Sequence, residues 1–154
     1  MVTLVLVRHA KSDWATAGQS DHERPLNDRG RHDASRMAAL LAETGFRPAR
    51  LLSSTALRAR TTADSFAAAL GMPLDTSPEL YGATADELWD AAASSHVQNV
   101  LIVAHDPGLS ELASALAGRD VMMTTCAVAT FTMPGDRWPS EPSPVEEWGL
   151  HAPR

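Results

Sequence analysis

A single cysteine, Cys126, stands among 154 residues, so no internal disulfide can form and no cysteine-rich metal site can be built. Beside an apolar strand pattern, that thiol reads as a small core residue rather than a reactive one. Long hydrophobic runs are also missing. The opening run, Leu4 to Val7, is far too short to span a bilayer, and no secretory leader pattern surrounds it, so no membrane association and a cytoplasmic location are expected. Positive charge is not in excess: 13 Lys and Arg against 19 Asp and Glu give a net charge of −6, which argues against a nucleic-acid partner. No glycine-rich phosphate loop and no carboxylate cluster suited to magnesium is present, which disfavours nucleotide-dependent transfer. Solenoid-period repeats and linker-like stretches are lacking too, so residues 1–154 read as one domain.

What is present alternates between strand and helix patterns. Val2 to Val7 is an apolar, β-branched run that reads as a buried strand ending at Arg8-His9. Residues 10–28 are polar and aperiodic, a long loop of the kind that is often functional. Asn27 or Asp28 caps a helix with Ala34, Met37, Leu40 and Leu41 on one face, and Gly45 ends it. Arg50 to Ser54 reads as a short strand; Thr55 is expected to cap a helix from about Ala56 to Leu70. Residues 78–82 form a linking segment, and Thr84 with Glu87 fits a capping box for a helix to about Ala93. Asn99 to Ala104 is a second strongly apolar strand, ending on His105. Asp106 as cap and Pro107 as first helical residue then open a helix that buries Leu109, Leu112, Ala113 and Leu116. Ala127 to Met133 reads as a further strand. The tail, 134–154, holds half of the ten prolines, and an edge strand at 147–151 forms there if Trp138, Trp148 and Leu150 dock on the body. Those tryptophans could equally dock on a partner. This alternation predicts a three-layer α/β/α sandwich with a mostly parallel central sheet and an antiparallel edge strand.

Under that topology, Arg8-His9, the Ser54 to Arg58 stretch and His105 converge on one rim, at the carboxyl ends of the strands where such sheets bind ligands. An arginine offers a permanently charged planar fork of donors that suits a phosphoryl group, and a histidine nitrogen can act as nucleophile or as acid and base. Arg58 and Thr62 share a helix face, whereas Arg60 points away and reads as structural. Two arginines and two histidines make a phosphoryl pocket that calls for no metal and no cofactor.

Four stretches carry a family resemblance: Leu6-Val7-Arg8-His9-Ala10-Lys11-Ser12, Asp21-His22-Glu23-Arg24-Pro25-Leu26, Ser53 through Ala63, and Val103-Ala104-His105-Asp106-Pro107-Gly108. In this order they resemble the histidine phosphatase superfamily, the phosphoglycerate-mutase-like phosphatases, and within it the small SixA-type phosphohistidine phosphatases. The resemblance implies that His9 is a nucleophile that becomes transiently phosphorylated. Arg8, Arg58 and His105 would hold the phosphoryl oxygens, and water would release inorganic phosphate. By the same resemblance Arg24 approaches the phosphate or the substrate; its other reading is a surface arginine that stabilises the Pro25 turn. Ser12 and Lys11 line the pocket mouth, although Lys11 reads equally well as a solvated side chain.

Two departures bear on the substrate. The broader family has glycine after the Arg-His pair, whereas Ala10 follows it here, as in the SixA-like group. Sugar-phosphate members carry a mid-chain glutamate that protonates the leaving group. The nearest candidate here is Glu79, at an approximate spacing. Protonated phosphohistidine expels neutral imidazole, a far better leaving group than an alkoxide, so less acid assistance is required. The expected substrate is therefore phosphohistidine on a protein, such as a phosphotransfer domain in signal transduction. The competing readings are a small-molecule phosphomonoesterase of the same superfamily and a phosphate-binding module without turnover.

Overall fold

The computed structural model describes all 154 residues. Six strands form one sheet: β1 (Val2–Arg8), β2 (Arg50–Ser54), β3 (Asp75–Ser77), β4 (Asn99–Ala104), β5 (Val128–Met133) and β6 (Glu147–His151), in the order β3-β2-β4-β1-β5-β6. The first four in that order are parallel; β5 runs antiparallel to both β1 and the edge strand β6. Four helices cover the sheet: α1 (Asp28–Glu43), α2 (Leu57–Leu70), α3 (Ala85–Ala93) and α4 (Gly108–Ala117).

The chain steps outward from β1 to β2 to β3 and then back to β4. Right-handed crossovers put helices on one face for the outward steps and on the other for the return. Accordingly α1 and α2 share a core with Val5, Val7, Leu101 and Val103, and α3 and α4 share one with Leu4, Leu6, Val100 and Ile102. Successive residues of β1 and β4 thus feed opposite cores, which is why both strands read as unbroken apolar runs. Each fully buried side chain of this kind contributes about 2 kcal/mol.

The return step leaves β1 and β4 as parallel neighbours, with Arg8 opposite Ala104. The residues that follow, His9 and His105, therefore leave the sheet side by side at its carboxyl edge.

Two glycines lock the surrounding loops. A Cβ on Gly30 would lie 2.1 Å from the Lys11 carbonyl oxygen, and one on Gly108 would lie 2.1 Å from that of Ala83. Only glycine lets α1 approach the loop after His9, and α4 the loop after Tyr81, this closely.

Several local expectations change. Thr55 does not cap α2; Ala56 precedes that helix, and the Thr55 hydroxyl bonds His22 Nε2 instead. Pro107, not Asp106, is the N-cap of α4, and Asp106, one residue earlier, accepts the Ser110 N–H at 2.9 Å. Leu40 is 44% exposed and Ala38 takes its place on the buried face. β3 was not anticipated, because Asp75-Thr76-Ser77 carries no apolar side chain and is held to β2 by backbone pairing and the Arg50–Asp75 ion pair. The tail docks on its own body: Trp138 Nε1 donates to Val97 O at 2.6 Å and packs edge-on to Trp89, and Trp148 stacks on Phe131. Leu150 stays 39% exposed. No helix is long and apolar enough to cross a membrane.

Candidate active site

Four segments meet at the carboxyl edge: the ends of β1 and β4, the start of α2, and the loop at 21–24. Their charged and imidazole side chains are buried almost completely, His9 at 7%, Arg24 at 8%, Arg58 at 5% and His105 at 8% exposure. Burial of this many polar groups requires compensating bonds, and the network supplies them.

His9 Nδ1 lies 2.8 Å from the Ala10 carbonyl oxygen. A carbonyl only accepts, so Nδ1 carries the proton and Nε2 keeps its lone pair. Burial pushes the His9 pKa down to about 4, and the Arg58, Arg8 and Arg24 guanidinium groups push the same way. His9 is a neutral imidazole at physiological pH.

His105 is tethered by its other nitrogen. Ser54 Oγ accepts the Ala56 N–H at 3.3 Å, and its own proton has no acceptor other than His105 Nε2 at 2.6 Å, so the hydroxyl is the donor in that pair. The proton of neutral His105 then sits on Nδ1, which is buried and unpartnered. Burial first, then the neighbouring His9 and Arg58, lowers its pKa to about 3. The two rings are 5.1 Å apart between centroids.

Asp21 organises the arginines. Arg58 donates from Nη1 to the Asp21 backbone oxygen at 2.6 Å and from Nη2 to Oδ2 at 3.0 Å. Arg24 donates from Nη2 to Oδ1 at 3.0 Å and from Nη1 to Ser12 Oγ, and it lies 3.5 Å above the Trp14 ring. The Tyr81 hydroxyl also donates to Oδ2. The Tyr81 hydrogen bond first, and then both arginines, hold the Asp21 carboxyl well below its usual range, and the same bond raises the Tyr81 pKa. Arg8 donates to Met123 O at 2.9 Å and faces Asp106 at 3.7 Å.

After these bonds, the Nε atoms of Arg8, Arg24 and Arg58 remain buried without a partner, as does His105 Nδ1. Unmade buried donors cost about 1–3 kcal/mol each, more when charged, so a native site holding four of them is poised for an acceptor. A tetrahedral oxyanion meets that demand.

Comparisons with known proteins bear on the family and the fold. The model of the histidine phosphatase superfamily (branch 1) matches residues 4–83, more than half of the chain. The chain belongs to the histidine phosphatase superfamily. An uncharacterised chloroplastic protein of Arabidopsis thaliana is 31% identical over 88% of this chain and 68% of its own length. An uncharacterised protein of Mycobacterium tuberculosis is 30% identical over 96% of this chain and all of its own. Among solved structures, one assigned as the phosphohistidine phosphatase SixA of Agrobacterium tumefaciens superposes with TM-score 0.78 at 32% identity, over 84% of this chain and 90% of that one. The protein histidine phosphatase SixA in complex with tungstate superposes with TM-score 0.75 at 27% identity, over 86% and 88%. The fold is therefore the phosphoglycerate-mutase-like one, and the chain is a phosphatase.

In this histidine phosphatase, Arg8, His9, Ser12, Arg24, Arg58 and His105 lie together at the carboxyl edge. Arg24 is neither free nor superficial. Lys11 is exposed, and only its backbone oxygen is engaged, by the Asn27 N–H at 3.0 Å. Glu79 is exposed and lines a separate surface hollow with Arg50, Ser77, Glu87 and Asp90, outside the network around His9. Arg60 donates to Thr55 O at 2.8 Å, a local structural bond. The roles of Ser54, Asp21 and Tyr81 are not among the sequence expectations, although Ser54 and Asp21 fall in stretches singled out there. A hydroxyl at the very end of a buried strand was the available signal for Ser54. Tyr81 gave none, because its bond to Asp21 spans 60 positions.

Proposed function

We propose that this phosphatase works through a phosphorylated His9 and that its substrate is phosphohistidine displayed on a protein. The observation that carries this reading is the fixed tautomer of His9: a buried, neutral ring presents the Nε2 lone pair beside three guanidinium groups and the His105 N–H. Attack by Nε2 on phosphorus breaks the bond to the substrate nitrogen, and the electron pair leaves with the substrate imidazole. Arg8, Arg58, Arg24 and His105 Nδ1–H take the charge that accumulates on the non-bridging oxygens. Water then displaces phosphate from Nε2 and restores the free enzyme.

Choice of a protein substrate draws on the SixA likeness and on the exposed rim, where Trp14 is 75% and Tyr81 38% exposed. The test is phosphate release from a phosphohistidine-bearing phosphotransfer domain and from glycerol 3-phosphate, with His9→Ala as control. Faster release from the protein, abolished in His9→Ala, is expected. Preference for the ester would replace this reading with that of a small-molecule phosphomonoesterase, and full activity of His9→Ala would end it.

A further inference from the structure

The hydrogens that the buried network offers to a bound phosphoryl compound sit on groups that keep them, the Ser12 hydroxyl that accepts from Arg24 included, and the exposed Lys11 side chain makes no bond into that network. The guanidinium protons of Arg8, Arg24 and Arg58 are permanent. The His105 Nδ1 proton belongs to a neutral imidazole whose other nitrogen is bonded to Ser54. Tyr81 gives its hydrogen to Asp21, and its pKa is raised. Asp21 is an acceptor on both carboxylate oxygens, from Arg24 on one side and from Arg58 and Tyr81 on the other. Asp106 accepts from Ser110 through both oxygens and faces Arg8. His22, edge-on to Tyr81, has Nδ1 taken by Glu23 and Nε2 by Thr55. The site holds a phosphoryl group well and protonates a departing atom poorly.

That combination selects substrates by their leaving group. An alkoxide must be protonated as it departs, whereas a carboxylate leaves as a stable anion with no proton at all. We propose that this phosphatase also hydrolyses acyl phosphates, the mixed anhydrides of a carboxylic acid and phosphoric acid. The inference rests on His9 acting as the phosphoryl acceptor. His9 Nε2 donates its lone pair to phosphorus, the P–O bond to the acyl oxygen breaks, and both electrons leave with the carboxylate. Water next forms a bond to phosphorus, the P–Nε2 bond returns its electrons to the ring, and one proton passes to solvent. The products are carboxylate and inorganic phosphate.

Acetyl phosphate and glycerol 3-phosphate are the probes, since both are small and differ chiefly in the group expelled. General acid catalysis accelerates such steps by 10² to 10⁴, so acetyl phosphate is expected to have a kcat/KM about a thousandfold above that of glycerol 3-phosphate. Turnover above the spontaneous rate should vanish in His9→Ala. With radiolabelled acetyl phosphate, wild-type protein should carry a label that is lost in acid and kept in base, a readout independent of how the variant folds. Equal rates for the two compounds would reveal a working proton donor and overturn the proposal. Hydrolysis of phosphohistidine protein without acetyl phosphate turnover would overturn it while leaving the protein-phosphatase reading intact. Activity on glycerol 3-phosphate alone would overturn both.

Discussion

The ends of β1 and β4 are two versions of one device. Each is a buried parallel strand delivering a histidine to the same edge, and the two rings sit 5.1 Å apart in one field of arginines. Both pKa values are driven down, to about 4 and about 3, with burial as the leading cause. What separates the rings is the partner of one nitrogen. At the β1 end a backbone carbonyl holds the Nδ1 proton and leaves Nε2 as a base. At the β4 end a serine hydroxyl holds Nε2 and leaves Nδ1–H as a donor. On the proposed mechanism, neighbouring atoms outside the ring, rather than residue type or burial, would assign attack to one histidine and stabilisation of charge to the other.

This contrast can be broken from the donor side. On the proposed mechanism, His105→Ala removes one donor to the phosphoryl oxygens and should lower kcat by about 10²–10³, as loss of an oxyanion donor does elsewhere. Steady-state kinetics with a phosphohistidine substrate check it; a loss confined to KM would mean that His105 only binds. A gentler change sharpens the comparison. Ser54→Ala leaves the ring in place but releases its tautomer, and loss of one hydrogen bond worth about 1 kcal/mol predicts a roughly fivefold to tenfold fall in kcat. His105→Ala and Ser54→Ala combined should then cost no more than His105→Ala alone.

The smallest effect is on titration. Neither His9 nor His105 should gain a proton between pH 8 and pH 5, which ring nitrogen chemical shifts would report directly. Between about pH 6.5 and the lowered native values, the unfolded chain binds more protons than the folded one. The contribution of both histidines is complete above about pH 6.5 and is lost as the pH falls through about 4 for His9 and about 3 for His105. His105→Asn should flatten that acid-side loss in thermal melts.

The parts of the molecule governed by local pattern were legible in the sequence. The runs at 50–54 and 99–104 formed strands at those bounds, and the Thr84–Glu87 box caps α3 with both its hydrogen bonds. The convergence of Arg8, His9, Arg58 and His105 followed from strand alternation alone, because parallel strands must carry their carboxyl ends to one edge. What escaped was set by contacts remote in sequence. Nothing within a few residues of Thr55 signals that His22 will claim its hydroxyl, and no window around Asp21 contains Arg58 or Tyr81. β3 escaped because backbone pairing and a remote Arg50–Asp75 ion pair hold it, without apolar alternation. Glu79 drew attention by its spacing, yet the 3-10 turn at Pro78–Leu80 buries Leu80, leaves Glu79 exposed at the separate hollow and brings Tyr81 to the site.

The measurement that most directly tests the assignment of roles is the identity of the phosphorylated nitrogen. Rapid quenching under basic conditions, followed by phosphorus and nitrogen NMR of the trapped protein, distinguishes His9 phosphorylated at Nε2 from the Nδ1 isomer and from phosphorylated His105. The fixed His9 tautomer predicts phosphate on Nε2 of His9. Phosphate on Nδ1 of His9, or on either nitrogen of His105, would contradict the account.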